Sequence, residues 1–340
     1  MLETKLLPVS KESLLLASQL LKKGDLVALP TETVYGIAAD ARLSESVKRI
    51  FEVKGRAQDN PLIVHIANMN MLKGLVSEVS PRGQKLADAF WPGPLTIVMP
   101  KGEAIPNITC AGLDTVGIRM PSHPVVQAII NASGVPFAAP SANLSGKPSP
   151  TNAQDVYADM NGRLPLILDG GECPVGVEST VISIIGRHPM ILRPGYITKE
   201  AIEQVLDEEV LISPAVLEKL KEGEIVRSPG MKYKHYAPNA EITIIRGSFE
   251  HYKNFVDKNK SENMMCLCFT GEAKDLSVPS IEYGYEGDGV SQSHCLFTAL
   301  RKLDECHAKK VFARCPKQEG VSMAVYNRLI RAAAFRVISL

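Results

Sequence analysis

No CxxC pair occurs in the sequence, and its seven cysteines are scattered, which argues against a zinc ribbon and against a disulfide framework. No apolar run is long enough to span a bilayer. Met1-Leu2-Glu3-Thr4-Lys5 leads into a polar, cappable helix rather than the apolar core of a secretory signal. These absences predict a soluble protein of the reducing cytoplasm with no membrane partner and no protein-held metal. A surplus of charge is missing as well: 38 Lys and Arg against 37 Asp and Glu leave a net charge of +1. Any polyanion site must therefore be a local concentration of cations. The common phosphate loops are also absent. Around Gly146-Lys147, position 141 is Ser where a Walker loop needs Gly, and Pro148 stands where it needs Ser or Thr. Gly284-Tyr-Glu-Gly287-Asp-Gly289 lacks GxGxxG spacing and is read as opening no strand-turn-helix unit, so it does not support dinucleotide binding. No Ser-His-Asp set or pair of carboxylates stands out for nucleophilic or acid-base work.

Against these absences stands one dense stretch, Val53-Lys54-Gly55-Arg56 through Asn60-Pro61-Leu62-Ile63-Val64-His65-Ile66. It reads as a helix capped by Ser44 and stopped at Gly55, a turn, and a strand. Lys54 and Arg56 flank the turn. Period-two alternation puts Ile63 and His65 on one strand face, so Lys54, Arg56, Asn60 and His65 converge as a candidate anion site. Pro30-Thr31-Glu32-Thr33-Val34-Tyr35-Gly36 places Thr31, Thr33 and Tyr35 on one face if extended, either as a cleft wall or as a solvated edge. Thr115, Gly117 and Arg119 share a face of a later strand, where a planar guanidinium suits a carboxylate or phosphate. The loop from Ser141 to Pro150 is made of small residues that let a ligand approach backbone, with Ser141, Asn143 and Ser149 as hydrogen-bonding groups, or it is a plain Ser/Pro turn. Arg193 is a second strand-borne arginine. Thr198 to Leu220 reads as acidic helix.

At 340 residues two domains are expected. The assignment is 1–212 for a first α/β domain, 213–239 for a linker, and 240–340 for a smaller, mainly parallel, Rossmann-like unit with alternating strands and helices. The stretch Arg227 to Pro238 crowds aromatic and basic residues, more than a passive tether needs. It is read as a lid over something flat and anionic, a nucleotide or RNA.

Several blocks then carry a resemblance. Pro30-Thr-Glu-Thr-Val-Tyr-Gly36, Lys54-Gly-Arg56, Asn60-Pro-Leu62, Trp91-Pro-Gly-Pro-Leu-Thr96, Arg119-Met-Pro121, Pro140-Ser-Ala-Asn143, Glu178-Ser-Thr-Val181 and Leu192-Arg-Pro-Gly195 resemble the YrdC-type domain of threonylcarbamoyl-AMP synthases. Ser228 to Pro238 and Ala324 to Ala333 resemble the linker and C-terminal domain of the longer, two-domain form. The resemblance implies a twisted open α/β sheet with a basic cavity. It also implies a nucleotidyl transfer from L-threonine, bicarbonate and ATP to threonylcarbamoyl-AMP and pyrophosphate, with Mg²⁺ accompanying ATP, for modification of tRNA beside the anticodon by a downstream transferase. It assigns threonine to Thr33, His65, Arg119 and Ser179 with the Ala139 backbone nearby. ATP falls to Lys54, Arg56, Asn60, Thr115, Ser141, Asn143, Ser149 and Arg193, with His235 or Tyr236 reaching it from the linker. Lys54 and Arg56 would assist the chemistry itself. An RNA-binding module and another carbamoyl-adenylate-forming enzyme are the alternatives.

Overall fold

The computed structural model describes residues 2–218 and 236–340. In chain order its elements are β1 (Lys5–Pro8), α1 (Lys11–Lys22), β2 (Val27–Leu29), β3 (Gly36–Asp40), α2 (Ser44–Lys54), β4 (Ile63–His65), α3 (Pro81–Phe90), β5 (Leu95–Pro100), β6 (Thr115–Arg119), α4 (Pro124–Ser133), β7 (Phe137–Ala138), α5 (Ala153–Met160), β8 (Leu166–Asp169), β9 (Thr180–Ser183), β10 (Met190–Arg193), α6 (Lys199–Leu206) and β11 (Leu211–Ile212). There follow β12 (Glu241–Arg246), α7 (Phe249–Lys258), β13 (Met264–Cys268), β14 (Ser280–Glu282), α8 (Gly289–Glu305), β15 (Lys310–Arg314), α9 (Ser322–Ala332) and β16 (Val337–Ser339). The first eleven strands form one mixed sheet ordered β1-β8-β2-β3-β7-β4-β6-β5-β9-β10-β11. The last five form a second sheet, β14-β13-β15-β12-β16, in which every pair is parallel. Parallel strands need crossover connections; α7, α8 and α9 supply three of the four, and the link from β13 to β14 carries only a 3-10 turn at Ala273–Asp275.

Local chemistry explains much of this. Ser10 caps α1 with a reciprocal capping box to Ser13, worth about 1 kcal/mol. Gly55 ends α2 at φ +61°, the left-handed geometry that glycine adopts without strain. Leu43 rather than Ser44 occupies the N-cap, and no side chain caps that end. Gly195 lets the turn after β10 press onto β9, since a Cβ there would sit 2.2 Å from the Thr180 amide.

Three stretches differ from expectation for reasons of hydrogen bonding and packing. Pro30 to Tyr35 does not continue as a strand. The Thr31 hydroxyl accepts from the Thr33 and Val34 amides and donates to the Val34 carbonyl, folding the segment into a turn. Tyr35 leaves the threonine face and donates to the Gly171 carbonyl. The acidic run after Thr198 is helical only to Leu206, where Asp207 turns left-handed at φ 57° and the chain re-enters the sheet as β11. Gly284 to Gly289, finally, does connect a strand to a helix: Asp288 caps α8 after β14, so an aspartate carboxylate occupies the helix start.

The two sheets share apolar and ionic contacts. Val34 and Val177 from the larger unit join Tyr236 and the core of the second sheet. Arg301 of α8 binds Asp159 at 2.9 Å and the Pro148 carbonyl at 2.6 Å. Asn327 of α9 donates to the Val216 carbonyl at 2.7 Å.

Candidate active site

A single row across the large sheet organises the cavity. The register pairs His65 of β4 with Arg119 of β6, Arg119 with Thr96 of β5, Thr96 with Val181 of β9, and Val181 with Arg193 of β10. Residues opposite one another across a ladder point to the same face, so His65, Arg119, Thr96 and Arg193 form one polar line. Above it lies a cavity of about 750 Å³ empty volume. The turn at Thr31 and Thr33, the end of α2, the small-residue loop from Ala139 to Gly146, Glu178-Ser179 and Tyr236 complete its walls. Among the described residues the lining carries four Lys and Arg side chains, Lys54, Arg56, Arg119 and Arg193, against one carboxylate, Glu178.

Each cation is held by its own surroundings. The Lys54 side chain turns inward from the last turn of α2, is 2% exposed, and donates to the carbonyls of Ser141 and Asn143. Burial, then the charge of Arg56, pushes its ammonium well below the usual lysine range. Arg56 donates to the Asn60 and Pro61 carbonyls at 3.4 and 3.3 Å, while its Nε is buried without a partner. Arg193 donates to the Ser179 carbonyl at 3.1 Å and to its hydroxyl at 3.2 Å. Burial lowers both guanidinium groups to about 10. Crowded, desolvated cations of this kind gain from an incoming polyanion, which restores the charge balance that burial removed.

Arg119 makes a second sub-site. It donates to the Thr33 hydroxyl at 2.9 Å and to the Gly93 carbonyl at 3.3 Å. Its Nη2 forms an ion pair with Glu32 Oε1 at 2.8 Å, both side chains being buried, so a carboxylate already stands behind this guanidinium where it lines the cavity. Burial raises the Glu32 carboxyl, yet the Arg119 charge and other hydrogen bonds outweigh it and hold the group below the ordinary carboxylate range. The Ser179 and Thr96 hydroxyls bond at 2.8 Å. His65 is buried with Nδ1 unpartnered, and burial, then Arg119, lowers it to about 3. A neutral imidazole beside a cavity-lining guanidinium and two hydroxyls suits a small polar molecule with one carboxylate.

His65 also ties stability to pH. Between about pH 3 and 6.5 the unfolded chain protonates this histidine and the folded chain does not, so folding stability falls as pH falls through that window. Between pH 7 and pH 5 the group is expected to remove about 2 kcal/mol. Urea unfolding of the native chain and of His65→Gln at both pH values reads the difference; equal losses in the two proteins would refute it.

The structure gathers Thr33, Lys54, Arg56, His65, Arg119, Ala139, Ser141, Asn143, Ser179, Arg193 and Tyr236 around one cavity. Three expected nucleotide ligands stand off its wall. Asn60 is buried behind Arg56 with its side-chain oxygen unpartnered. Ser149 donates to Glu178 at 2.6 Å. Thr115 lines a smaller apolar pocket with Gly117, Val98 and Val181, which meets the main cavity at Leu62 and Ile63. His235, and residues 219–235 of the expected lid, lie outside the described residues.

Sequence reasoning missed Glu32, Thr96, Glu178 and Arg328 as site residues. Arg328 of α9, 0% exposed, donates to Glu178 at 2.9 Å from 150 positions away. Both lie in blocks that the resemblance singled out, but no spacing links them.

Comparison with known proteins agrees with this geometry. The family described as Telomere recombination matches residues 19–195, and that described as Threonylcarbamoyl-AMP synthase, C-terminal domain, matches 197–334. The threonylcarbamoyl-AMP synthase of Pyrococcus abyssi is 43% identical over 330 residues, covering 95% of this chain and 94% of its own. That of Bacillus subtilis is 44% identical over 329 residues, covering 95% and 93%. The crystal structure of P. abyssi Sua5 complexed with L-threonine superposes with a TM-score of 0.93 at 40% identity, covering 99% of this chain and all of that one. No helix among the described residues is long and apolar enough to cross a membrane. With both family models matched end to end and curated relatives above 40% identity over nearly the whole length, the chain belongs to the threonylcarbamoyl-AMP synthase family in its two-domain form.

Proposed function

We infer that the protein joins L-threonine, bicarbonate and ATP into threonylcarbamoyl-AMP and pyrophosphate. The observation that carries this reading is the pairing of two sub-sites in one cavity: an Arg119 guanidinium among the hydroxyls of Thr33 and Ser179, and a cluster of Lys54, Arg56 and Arg193. Arg119 takes the threonine carboxylate, with Thr33, Ser179 and neutral His65 reading the rest of the molecule. Lys54, Arg56 and Arg193 take the triphosphate, and Ser141 and Asn143 the adjoining polar groups. The apolar pocket at Thr115 and Val181 accepts the base, next to the phosphates through Leu62 and Ile63.

The threonine amine loses a proton and adds to carbon dioxide derived from bicarbonate, giving a carbamate. A carbamate oxygen then attacks the α-phosphorus while the bond to the bridging oxygen of pyrophosphate breaks. The carbamate and the triphosphate are both anionic, so the chain's work is charge neutralisation, in-line alignment and exclusion of water from a labile carbamate. Mg²⁺ enters with ATP. The described residues contain no cluster of three or more His, Cys, Asp or Glu, and Glu178 is engaged by Ser149 and Arg328, so phosphate and water would hold the ion. The product is a mixed anhydride, an activated acyl donor for a tRNA adenosine through a downstream transferase in the cytoplasm.

Carbon-labelled bicarbonate tests the reading: label is expected in a nucleotide product only with threonine and ATP together. A nucleotide product lacking the label would contradict it.

A further inference from the structure

A buried arginine of the second domain binds a carboxylate of the cavity wall. Arg328, near the middle of α9, is fully buried, and three of its contacts cross to the other domain: the Glu178 carboxylate at 2.9 Å, the Glu178 carbonyl at 3.2 Å, and the Pro194 carbonyl. Asn327 Oδ1 fixes its remaining edge at 3.1 Å. The guanidinium also lies 5.9 Å from the Tyr236 ring, and that tyrosine lines the cavity.

Glu178 is the only carboxylate among the described lining residues, and it sits beside the residue that Arg193 grips. Burial raises its carboxyl, but Arg328 first and Arg193 next draw it below the ordinary carboxylate range, so it is an anion. Its two oxygens are taken, one by the Ser149 hydroxyl at 2.6 Å and the other by Arg328. Arg193 meanwhile bonds to Ser179 and makes no ion pair with Glu178. Two arginines thus flank one carboxylate, and Arg328 holds it.

We propose that Arg328 is a positioning residue for the nucleotide: by holding and neutralising Glu178 it keeps Arg193 facing the cavity as a phosphate ligand. The C-terminal domain is then part of the charge balance of the active site, not only a neighbour packed against it. Without Arg328 the buried Glu178 anion is left with Arg193 as the cation that acts on it next. An ion pair between them withdraws one of the cations available to ATP and loosens the Ser179 backbone. This rests on the adenylate-forming reading above.

The test compares Arg328→Met, Glu178→Gln and the double variant in the full chain, with thermal unfolding of each. The native protein must first release pyrophosphate in a threonine- and bicarbonate-dependent way; if it does not, the adenylate-forming reading fails before this one is reached. Folded Arg328→Met is expected to raise the KM for ATP about tenfold or more and the KM for threonine less than threefold, and adding Glu178→Gln should return the ATP value to within threefold of native. A purely structural arginine would lower the melting temperature without that rescue, and a double variant with ATP KM as high as the single would overturn the proposal. So would native ATP KM in folded Arg328→Met. If Arg328→Met does not fold, the double variant alone decides by the same threefold limit. Should neither fold, Arg328→Lys decides: retained charge is expected to hold ATP KM within threefold of native, and a tenfold rise would overturn the proposal.

Discussion

Arg119→Ala is expected to weaken threonine binding by roughly 2–4 kcal/mol, the cost of removing one side of a desolvated charge pair. At about 1.4 kcal/mol per tenfold, this is a loss of roughly 30- to 1,000-fold in affinity. The substitution has a second effect, because Arg119 lies against the buried Glu32 carboxylate at 2.8 Å. Taking the guanidinium away leaves that anion without its neighbour and is expected to cost the fold roughly 3–5 kcal/mol. The two effects separate in the double variant Arg119→Ala/Glu32→Gln, where stability should return and threonine affinity should not. Calorimetry on folded protein showing native threonine affinity in either variant would contradict the assignment.

Lys54→Met is expected to lower the rate of adenylate formation by roughly 10²- to 10³-fold, the scale found when one preorganised group facing developing charge is removed. Burial and Arg56 already push the Lys54 ammonium down, so its removal strands no opposite charge. It leaves the Ser141 and Asn143 carbonyls without their donor, at about 1–3 kcal/mol each if water cannot reach them. Single-turnover kinetics with saturating ATP and threonine measures the rate. A Lys54→Met protein with native turnover would show that the lysine only ties the loop to α2.

The parts of the site legible in the sequence were those set by one strand or one turn. Thr115, Gly117 and Arg119 share a face because β6 alternates, and Gly55 stops α2 because only a left-handed residue closes that turn easily. The parallel second sheet followed from strands alternating with helices. What could not be read was anything set by contacts between distant segments. The bend at Thr31 comes from a hydroxyl competing with the ladder, which the β-branched pattern of Thr31 and Thr33 conceals. Ser149 looks like a ligand in a loop of small residues, yet it spends its proton on Glu178, and Glu178 in turn is governed by Arg328. Those three residues share no period. Tyr236 was legible as an aromatic beside basic residues, but its contact with Phe297, ring centroids 5.3 Å apart, belongs to the docking of α8.

The proposed reaction requires one cavity to assemble its nucleophile from threonine and bicarbonate before ATP is cleaved. Pyrophosphate release from ATP, with threonine and bicarbonate each omitted in turn from buffer freed of carbon dioxide, tests that directly. Release is expected only with both present, and folded Arg119→Ala should need far more threonine to reach the native rate. Equal release when either is omitted would make the protein an ATP pyrophosphatase and contradict the account.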